Sequence, residues 1–558
     1  METERITSLY RFLRKAVQML YDHGIRHAVL CPGSRSAPLA LTVMRYEGMK
    51  YHIIDDERSA GYVALGLAQS LREGVLVITT SGTAALNLAP AMAEAYYQEV
   101  PLLAWTADRP LGAIHRVENQ AIRQPGIFEP NVKASYTWPN DFFQMPHLRY
   151  ALSLLNEALY QLLTTPRGSV HLNIPIAEPF YPSPDIPAES DPLPHPPTST
   201  RPPPQLTYSV AYEYAHRLAT TARILLLMGH RLPNYPLRKS LKAFSRQLAI
   251  PVLADPIANY YSPHHTWFLN DDFWMWLTPN QQEILRPDLL ITIGYRFLSK
   301  SLRQFFRTHP PSDHWHIGFP PYPIDPFEVL TQTIRVHPQT FLQQIRALIP
   351  TLDVSERLNY IQQWQAAYDE FYALRADGML PISTEAALFL QVIELLPSQG
   401  ILHLGNSLPV RHFQHIPPHL QRKMGAWDIF ANRGTSGIDG SLSTAIGHAR
   451  SAQRTIFAII GDQSFFYDAN ALWTDSLPQN LHIVVINNHG GRIFQTISGP
   501  SRQPEFARYF ARTHQRSIRG LAEYQGLRYY RASNAEELRS VWPHFAASGP
   551  SILEIDIT

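Results

Sequence analysis

Two polar side chains follow two apolar runs in the C-terminal part of the chain, and their types suit a metal ion. Asp462 comes directly after TIFAIIG, and Asn488 comes directly after LHIVVIN. If these runs are neighbouring parallel strands, both residues lie at the sheet edge where open α/β sheets bind ligands. Carboxylate and amide oxygens suit Mg²⁺, which completes its shell with phosphate and water. Gly490 and Gly491 would let the backbone approach a diphosphate. An Asp helix cap and an Asn-rich turn are the competing interpretation.

The pattern of apolar residues predicts the strands and helices that position Asp462 and Asn488. Short apolar runs alternate with helical stretches, which predicts parallel sheets covered on both faces. The runs are HAVL, YHII, VLVITT, PLLAWT, RILLLMG, IPVLAD, LLITIG, HWHIGF, GILHLG, TIFAIIGD, LHIVVINN and PSILEIDI. A proline-dense stretch predicts an extended linker at residues 181–205, and a weaker break follows a proline turn near residue 350. We expect three doubly wound α/β domains, at residues 1–180, 206–350 and 351–558.

Composition narrows the class of protein. A chain of 558 residues is too long for one core, and 45% hydrophobic with 17% charged residues is an ordinary globular mixture. The net charge of +2 gives no electrostatic reason to expect a nucleic-acid or acidic-membrane partner. Cys31 is the only cysteine, so no disulfide can form within the chain. The N-terminus lacks the apolar core of a signal peptide, and no apolar run has transmembrane length. We expect a cytoplasmic enzyme.

The stretch that contains Asp462 and Asn488 resembles the diphosphate-binding motif of thiamine diphosphate enzymes, which begins Gly-Asp and ends Asn-Asn. In this chain the motif begins at Gly461 and ends at Asn488, with Gln463 at a position where the family has a small residue. The resemblance implies thiamine diphosphate as cofactor. It also implies a Mg²⁺ or Mn²⁺ ion bound by the side chains of Asp462 and Asn488 and by the carbonyl oxygen of Gly490.

Enzymes of this kind use a glutamate that hydrogen-bonds the aminopyrimidine ring of the cofactor and so promotes loss of the thiazolium C2 proton. Glu57 is the candidate, because it follows the run YHII and opens a predicted helix. The segment TTSGTAALN resembles the pyrimidine-binding domain of the family, which implies that Thr83 and Asn87 also contact the cofactor. A first-turn glutamate that only favours the helix dipole is the alternative for Glu57.

Several arginine-bearing segments extend the resemblance. They are CPGSRSAPLA, TADRP, ENQAIRQPGIF, GYRFLSKSL, GNSLPVR and ANRGTSGIDGSLSTAIGHA. In this order they resemble the 2-succinyl-5-enolpyruvyl-6-hydroxy-3-cyclohexene-1-carboxylate synthase family of menaquinone biosynthesis. The resemblance implies decarboxylation of 2-oxoglutarate and addition of the succinyl semialdehyde unit to isochorismate. Each substrate carries two carboxylates, which arginine binds through paired hydrogen bonds.

The family resemblance also implies roles for individual residues. Ile438 would lie beneath the cofactor and bend it, and so joins Glu57 as a catalytic residue. Further cofactor contacts are expected from Ser436, Gly437, Gln463, Ser464, Gly491 and Ile493. The expected substrate-binding residues are Ser34, Arg35, Asn119, Gln120, Lys300, Ser407, Arg411, Arg433, Ile493 and Phe494. Ser301 stands where the family often has a second cation, so Arg296 is an alternative to Lys300. Taken singly, each polar residue is also explained as a surface charge or a loop cap.

Two other functions remain open from the sequence. An acetolactate synthase-like carboligase or another 2-oxo acid decarboxylase would use less charged substrates, so the arginines count against it. A non-catalytic nucleotide-binding protein with α/β domains is the more distant alternative. In the family, the glutamate and the diphosphate motif meet across a subunit interface. We therefore expect a homodimer or a tetramer, without nucleic acid and without membrane insertion.

Overall fold

The chain folds around three parallel sheets. The computed structural model describes residues 2–140, 144–178, 180–181, 204–320, 324–350, 352–497, 499–547 and 549–557. Each sheet has six strands, and every strand pairing between neighbours is parallel. The expected architecture of three doubly wound α/β units is confirmed.

The first sheet carries the N-terminal part of the chain. Its strands are β1 (His27–Leu30), β2 (Lys50–Ile53), β3 (Val75–Thr79), β4 (Leu102–Asp108), β5 (Ala134–Thr137) and β6 (Val170–Pro175). Its helices are α1 (Glu2–Asp22), α2 (Ala37–Met44), α3 (Glu57–Leu71), α4 (Thr83–Asn87), α5 (Ala89–Gln98) and α6 (Met145–Leu163). The strand order is β2-β1-β3-β4-β6-β5. Helix α3 begins where the sequence predicts, because the Asp56 carboxylate accepts hydrogen bonds from the backbone N–H groups of Arg58 and Ser59.

The second sheet forms the centre of the chain. Its strands are β7 (Ile224–Met228), β8 (Val252–Ala254), β9 (Thr266–Phe268), β10 (Leu289–Ile293), β11 (Asp313–Ile317) and β12 (Gln332–Ile334). Its helices are α7 (Tyr208–Thr220), α8 (Tyr235–Leu248), α9 (Asp271–Trp276), α10 (Pro279–Leu285), α11 (Ser301–Thr308) and α12 (Pro338–Leu348). The order β12-β11-β10-β7-β8-β9 differs from that of the first sheet and places the switch point between β10 and β7.

The third sheet repeats the strand order of the first. Its strands are β13 (Ile401–Leu404), β14 (Asp428–Phe430), β15 (Ile456–Gly461), β16 (Leu481–Asn487), β17 (Arg528–Ala532) and β18 (Ser551–Asp556). The order is β14-β13-β15-β16-β18-β17. The helices of this part are α13 (Ser355–Ala376), α14 (Thr384–Leu395), α15 (Leu408–His412), α16 (Pro418–Met424), α17 (Ser441–Ala449), α18 (Asp462–Tyr467), α19 (Ile518–Tyr524) and α20 (Ala535–Ala547). A π-helical turn spans Phe506–Ala511.

Helix α13, which follows the central sheet, packs against the central part of the chain although it lies beyond the predicted domain boundary at residue 350. Trp364 and Tyr368 of α13 lie in an apolar cluster with Leu225 of β7 and Phe273 of α9. The Arg357 guanidinium, also on α13, donates to backbone carbonyls of the central part of the chain. The boundary at residue 350 stays a prediction, and this packing favours placing it after α13. The predicted linker at 181–205 lies almost wholly outside the described residues.

Helices α3 and α17 lock the first sheet to the third through two glycines. A Cβ at Gly66 would lie 2.0 Å from the carbonyl oxygen of Thr444, and a Cβ at Gly447 would lie 2.0 Å from that of Val63. Only glycine permits such an approach. The helix that begins at Glu57 is therefore held rigidly against the domain that carries Asp462.

Within the described part of the chain, no helix combines the length and apolar character needed to span a membrane.

Candidate active site

Asp462 and Asn488 meet at the carboxyl edge of the third sheet. Strands β15 and β16 are adjacent and parallel, with Gly461 opposite Ile486, so the residues that follow them come together. Both line one cavity of about 220 Å³. Its other lining residues are Glu385, Asn406, Ser407, Leu408, Pro409, Ile438, Gly461, Gln463, Ser464, Ile486, Gly490, Gly491, Arg492, Ile493 and Phe494. The spatial convergence expected from strand adjacency is present.

Two buried oxygen atoms at this cavity are available to a cation. Asp462 Oδ1 accepts a hydrogen bond from the backbone N–H of Gln463 at 2.7 Å. Among the described residues, Asp462 Oδ2 and Asn488 Oδ1 have no hydrogen-bond partner. His514 Nε2 lies 3.0 Å from Asp462 Oδ2, at ion-pair distance but without hydrogen-bond geometry. Burial raises the pKa of Asp462, while the N–H of Gln463 and His514 act in the opposite direction. A hard divalent cation would satisfy both oxygen atoms.

The glycine pair beside these oxygens leaves no room for side chains. Gly490 has φ +155°, and a Cβ there would lie 2.5 Å from the carbonyl oxygen of Ala511. A Cβ at Gly491 would lie 2.8 Å from the carbonyl oxygen of Phe510. Gln463, which departs from the small residue of the family motif, donates from Nε2 to the Ala511 carbonyl at 3.3 Å. Glycine is therefore required at both positions, and the side chains of Asp462, Gln463 and Asn488 beside them fit a diphosphate and its metal ion.

A loop before α17 contains Ser436, Gly437 and Ile438, and of these three Ile438 lines the same cavity. Ser464 Oγ donates to the Ile438 carbonyl at 2.5 Å, and Asn406 Nδ2 donates to the Gly437 carbonyl at 2.5 Å. Ser436 has a positive φ of 66°, so the loop turns sharply just before Ile438. Ile438 also lines a second, neighbouring cavity together with Gln463. Its position at the junction fits the expected contact with the cofactor.

Glu94 anchors this loop from the first domain, and sequence reasoning missed it. Its fully buried carboxylate accepts from the backbone N–H of Gly434 at 2.7 Å and from that of Thr435 at 2.6 Å. The Thr435 hydroxyl donates to the same carboxylate at 2.6 Å. In the sequence, Glu94 is one glutamate within an alanine-rich helix, and no local pattern indicates a partner 340 positions away.

The N-terminal candidates form a separate group. Asn87 Nδ2 lies 3.5 Å from Glu57 Oε2, and Thr83 and Asn87 are exposed while Glu57 is half-buried. Asn119 and Gln120 are also exposed, and the Gln120 carbonyl oxygen would lie 3.1 Å from a Cβ at Gly82, next to Thr83. Glu57 lines neither of the two cavities at Ile438. A single chain therefore does not bring Glu57 to the Asp462 cavity.

Buried Gln124 ties this group together, and sequence reasoning did not single it out. Its Oε1 accepts from the Gly82 backbone N–H at 3.0 Å, and its Nε2 donates to the Ala107 carbonyl at 3.0 Å. The turn before Thr83 is thereby fixed to the end of β4.

Arg411 and Arg433 lie close to the metal-binding candidates. Arg411 Nη1 donates to the Ser407 carbonyl at 2.6 Å, and Arg433 Nη1 donates to Asn406 Oδ1 at 3.0 Å. Burial lowers the pKa of both guanidinium groups, and Asp271 opposes this shift at Arg411. In the described part of the chain, neither guanidinium forms an ion pair with a carboxylate. An anionic ligand would compensate for this partial burial of positive charge.

The two cation candidates on the central domain differ in their environment. Lys300 is exposed immediately before α11. Arg296 Nη1 donates to the carbonyl oxygens of Arg433 and Gly434, and its guanidinium stacks 5.3 Å from the Tyr97 ring centroid. Arg296 thus supports the loop that carries Arg433, whereas Lys300 is exposed, and which of the two binds a substrate carboxylate stays a prediction.

Arg35 is buried at the carboxyl edge of the first sheet. Its guanidinium donates to the Ile176 carbonyl at 2.8 Å and pairs with Glu178 at 3.0 Å. Exposed Ser34 hydrogen-bonds Tyr181 through the two hydroxyl groups at 2.6 Å. Burial lowers the pKa of Arg35, and nearby Arg109, which follows β4, acts in the same direction. Both arginines at this edge already have carboxylate partners, because Arg109 also lies 3.6 Å from Glu118, so a substrate role for Arg35 stays a prediction.

Ile493 and Phe494 follow the glycine pair in a short 3-10 helix, Arg492–Thr496, and both line the Asp462 cavity. Both residues thus lie at the Asp462 cavity, and their expected contact with the substrate stays a prediction.

Comparisons with known proteins agree with this arrangement. Residues 13–127 match the family described as thiamine pyrophosphate enzyme, N-terminal TPP binding domain. Residues 221–404 match the middle domain of thiamine pyrophosphate enzymes, and residues 419–555 match their C-terminal TPP binding domain. A solved structure of a putative thiamin diphosphate-dependent enzyme from Mycobacterium smegmatis superposes with a TM-score of 0.72 at 19% identity. The match covers 97% of this chain and 98% of that one.

Curated relatives narrow the family. A 2-succinyl-5-enolpyruvyl-6-hydroxy-3-cyclohexene-1-carboxylate synthase from Bacteroides thetaiotaomicron is 35% identical over 97% of this chain and 94% of the relative. The enzyme of the same name from Cytophaga hutchinsonii is 34% identical over 95% of this chain and 92% of its own.

The chain belongs to the 2-succinyl-5-enolpyruvyl-6-hydroxy-3-cyclohexene-1-carboxylate synthase family.

This family membership favours the expected synthase function over the two alternatives, an acetolactate synthase-like carboligase or decarboxylase and a non-catalytic nucleotide-binding protein. It identifies the chain as a thiamine diphosphate-dependent carboligase, a transferase.

Proposed function

We propose that the protein joins 2-oxoglutarate to isochorismate with loss of CO₂, in menaquinone biosynthesis. The observation that carries this proposal is the near full-length match to the synthase family. The cavity at Asp462 would supply the cofactor site, and Arg411 and Arg433, which have no carboxylate partner among the described residues, would supply fixed positive charge. Both substrates are dianions, so their binding depends on cations such as Arg411 and Arg433.

The metal ion and the cofactor diphosphate have a defined place in this proposal. Asp462 Oδ2 and Asn488 Oδ1 would bind Mg²⁺ or Mn²⁺, with the Gly490 carbonyl oxygen as the third protein ligand. The backbone at Gly490 and Gly491, together with Gln463 and Ser464, would hold the diphosphate. When bound, thiamine diphosphate supplies a nucleophilic carbon that adds to the keto group of a 2-oxo acid and accepts the electrons left by CO₂.

The remaining residues would position the reacting groups and exclude water. Glu57, supported by Asn87 and Thr83, would hydrogen-bond the pyrimidine ring and direct proton transfer there. Ile438 would hold the two rings of the cofactor in a bent arrangement. Ile493 and Phe494 would exclude water beside the reacting carbon.

We further propose that substrate carboxylates are held by cations from all three domains. Arg411 and Arg433 would provide them from the last domain, Lys300 from the central domain and Arg35 from the first. Polar contacts would be added by Asn119, Gln120, Ser34 and Ser407. Which carboxylate each cation binds stays a prediction.

We propose a homodimer as the active unit, either alone or as half of a tetramer, with Glu57 of one subunit serving the Asp462 cavity of the other. The support is that Glu57 lines neither cavity in its own chain. A cytoplasmic location stays a prediction.

Product analysis tests the proposed reaction. The purified chain, with thiamine diphosphate and Mg²⁺, should convert 2-oxoglutarate and isochorismate to the succinylated cyclohexene carboxylate, seen by mass spectrometry with one CO₂ per product. Pyruvate in place of 2-oxoglutarate should give little product. Equal use of pyruvate, or no product from the proposed pair, would reject the assignment.

A further inference from the structure

Glu385 is a buried carboxylate in the Asp462 cavity that the sequence did not single out. It lies in the first turn of α14, which Ser383 begins by accepting a hydrogen bond from the Ala386 backbone N–H at 3.1 Å. Its side chain is 7% exposed and lines the cavity together with Asn488. The simplest explanation is a first-turn glutamate that favours the helix dipole. Such a residue gains nothing from burial, so the contacts of this carboxylate need another account.

Both oxygen atoms of Glu385 are directed at Asn488. Asn488 Nδ2 lies 3.2 Å from Oε1 and 3.1 Å from Oε2. His412 Nε2, on α15, lies 2.9 Å from the same Oε1. A carboxylate only accepts hydrogen bonds, so the face of the amide turned towards Glu385 must be the NH₂ group. Asn488 Oδ1 is then forced to the other side, where it has no hydrogen-bond partner among the described residues.

We infer that Glu385 is a positioning residue, held by His412, that fixes the Asn488 amide with its oxygen directed towards the divalent cation. An asparagine amide without such a partner can present either its oxygen or its NH₂ group, and only the oxygen binds a metal. Partners of this type orient metal ligands in many proteins. The inference rests on the proposed metal site at Asp462 and Asn488. It adds a link from that site to α15, which also carries Arg411.

The inference makes an unusual prediction for paired substitutions. In Glu385→Gln, an NH₂ group would take the place of one accepting oxygen, so the Asn488 amide would turn and present its own NH₂ to the cation. In Asn488→Asp, two carboxylates would face each other at about 3.1 Å and would repel. In the double variant, the new amide at position 385 would donate to one oxygen of the new carboxylate at position 488 and leave the other oxygen for the cation. Each single change should weaken Mg²⁺ binding by about 10- to 100-fold, while the pair should recover most of the loss.

The test measures Mg²⁺ affinity in the presence of thiamine diphosphate by isothermal titration on the wild-type chain, the two single variants and the double variant, all at full length. Melting of each chain without Mg²⁺ checks that it is folded. Glu356→Gln is the matched control, since Glu356 is an exposed first-turn glutamate of α13, and should leave Mg²⁺ affinity unchanged.

The outcomes separate this inference from the proposed function. If the wild-type chain shows no Mg²⁺-dependent binding of thiamine diphosphate, both fail. If the wild-type chain binds and Glu385→Gln binds equally well, only the positioning role is overturned. Losses that simply add in the double variant would also overturn it, because they would indicate that Glu385 is itself a ligand or has a purely structural role. If Glu385→Gln does not fold, Glu385→Ala takes its place: it leaves the Asn488 amide without an orienting partner, and Mg²⁺ affinity equal to wild type would refute the inference.

Discussion

Two inactive variants should restore activity to each other if the active site forms between subunits. Glu57→Gln removes the carboxylate for the pyrimidine ring, and Asp462→Ala removes the metal ligand. Within one chain, Arg58 Nη2 donates to the Tyr467 carbonyl at 2.7 Å and Asn470 Nδ2 donates to Asp56 at 2.7 Å. The residues on either side of Glu57 are therefore attached to the C-terminal end of α18 and to the 3-10 turn that follows it, Ala469–Leu472. Asp462 is the first residue of α18. At a rise of 1.5 Å per residue, it lies about 8 Å along the helix axis from Tyr467.

The size of the expected recovery follows from symmetry. When equal amounts of the two variants exchange subunits freely, about half of the dimers are mixed, and each mixed dimer has one intact and one doubly altered site. The mixture should therefore reach about one quarter of wild-type activity, while each variant alone stays near background. If the site formed within one chain, no mixture would contain an intact site, and no recovery would occur.

The assay is formation of product from both substrates after the two chains are mixed, unfolded mildly and refolded together. Sedimentation on the same samples reports the fraction of dimers. Glu213→Gln, an exposed substitution on α7, mixed with Asp462→Ala is the control for dilution, and should give at least the same activity as the hybrid. Absence of recovery with dimers present, or full activity in a monomer, would refute the shared site.

Further expectations concern the cofactor, the substrates and the loop at Ile438. Glu57→Gln should slow hydrogen–deuterium exchange at the C2 atom of bound cofactor by orders of magnitude with little change in melting temperature; unchanged exchange would remove Glu57 from the mechanism. Arg411→Ala should cost roughly 1.5 to 3 kcal/mol of a charge-assisted contact, about a ten- to hundred-fold loss in kcat/KM for isochorismate. Arg35→Ala should do the same. CO₂ release from 2-oxoglutarate in the absence of isochorismate measures the first half-reaction. If either variant loses this CO₂ release but keeps its affinity for isochorismate, the substituted arginine binds 2-oxoglutarate instead. Glu94→Gln should lower the free energy of unfolding by about 2 to 4 kcal/mol, since hydrogen bonds to a charged group are replaced by weaker ones or lost. It should also weaken cofactor binding in a titration, and wild-type values in both measurements would contradict the anchoring role.

Most of the fold is accessible from the sequence, and most of the missed strands lie at sheet edges. All twelve predicted runs coincide with strands, because buried parallel strands are continuous stretches of apolar residues. Six strands are not predicted from the sequence: β5, β6, β9, β12, β14 and β17. All but β6 lie at the edge of a sheet. Three of these edge strands, β5, β12 and β17, are only partly buried, so their residues carry little apolar signal. The other two, β9 and β14, are buried but only three residues long, too short for a recognisable apolar run.

The sequence by itself determined those parts of the candidate site that depend only on residue type at the end of a strand. Asp462, Asn488 and the glycine pair were located because strand ends and glycine have local signatures. The tertiary structure alone decided which side chains support them. Glu385, Glu94 and the Gly66–Gly447 crossing act on residues far away in the chain. A buried glutamate that orients an amide and an exposed one that caps a helix have the same local sequence, and only their packing distinguishes them.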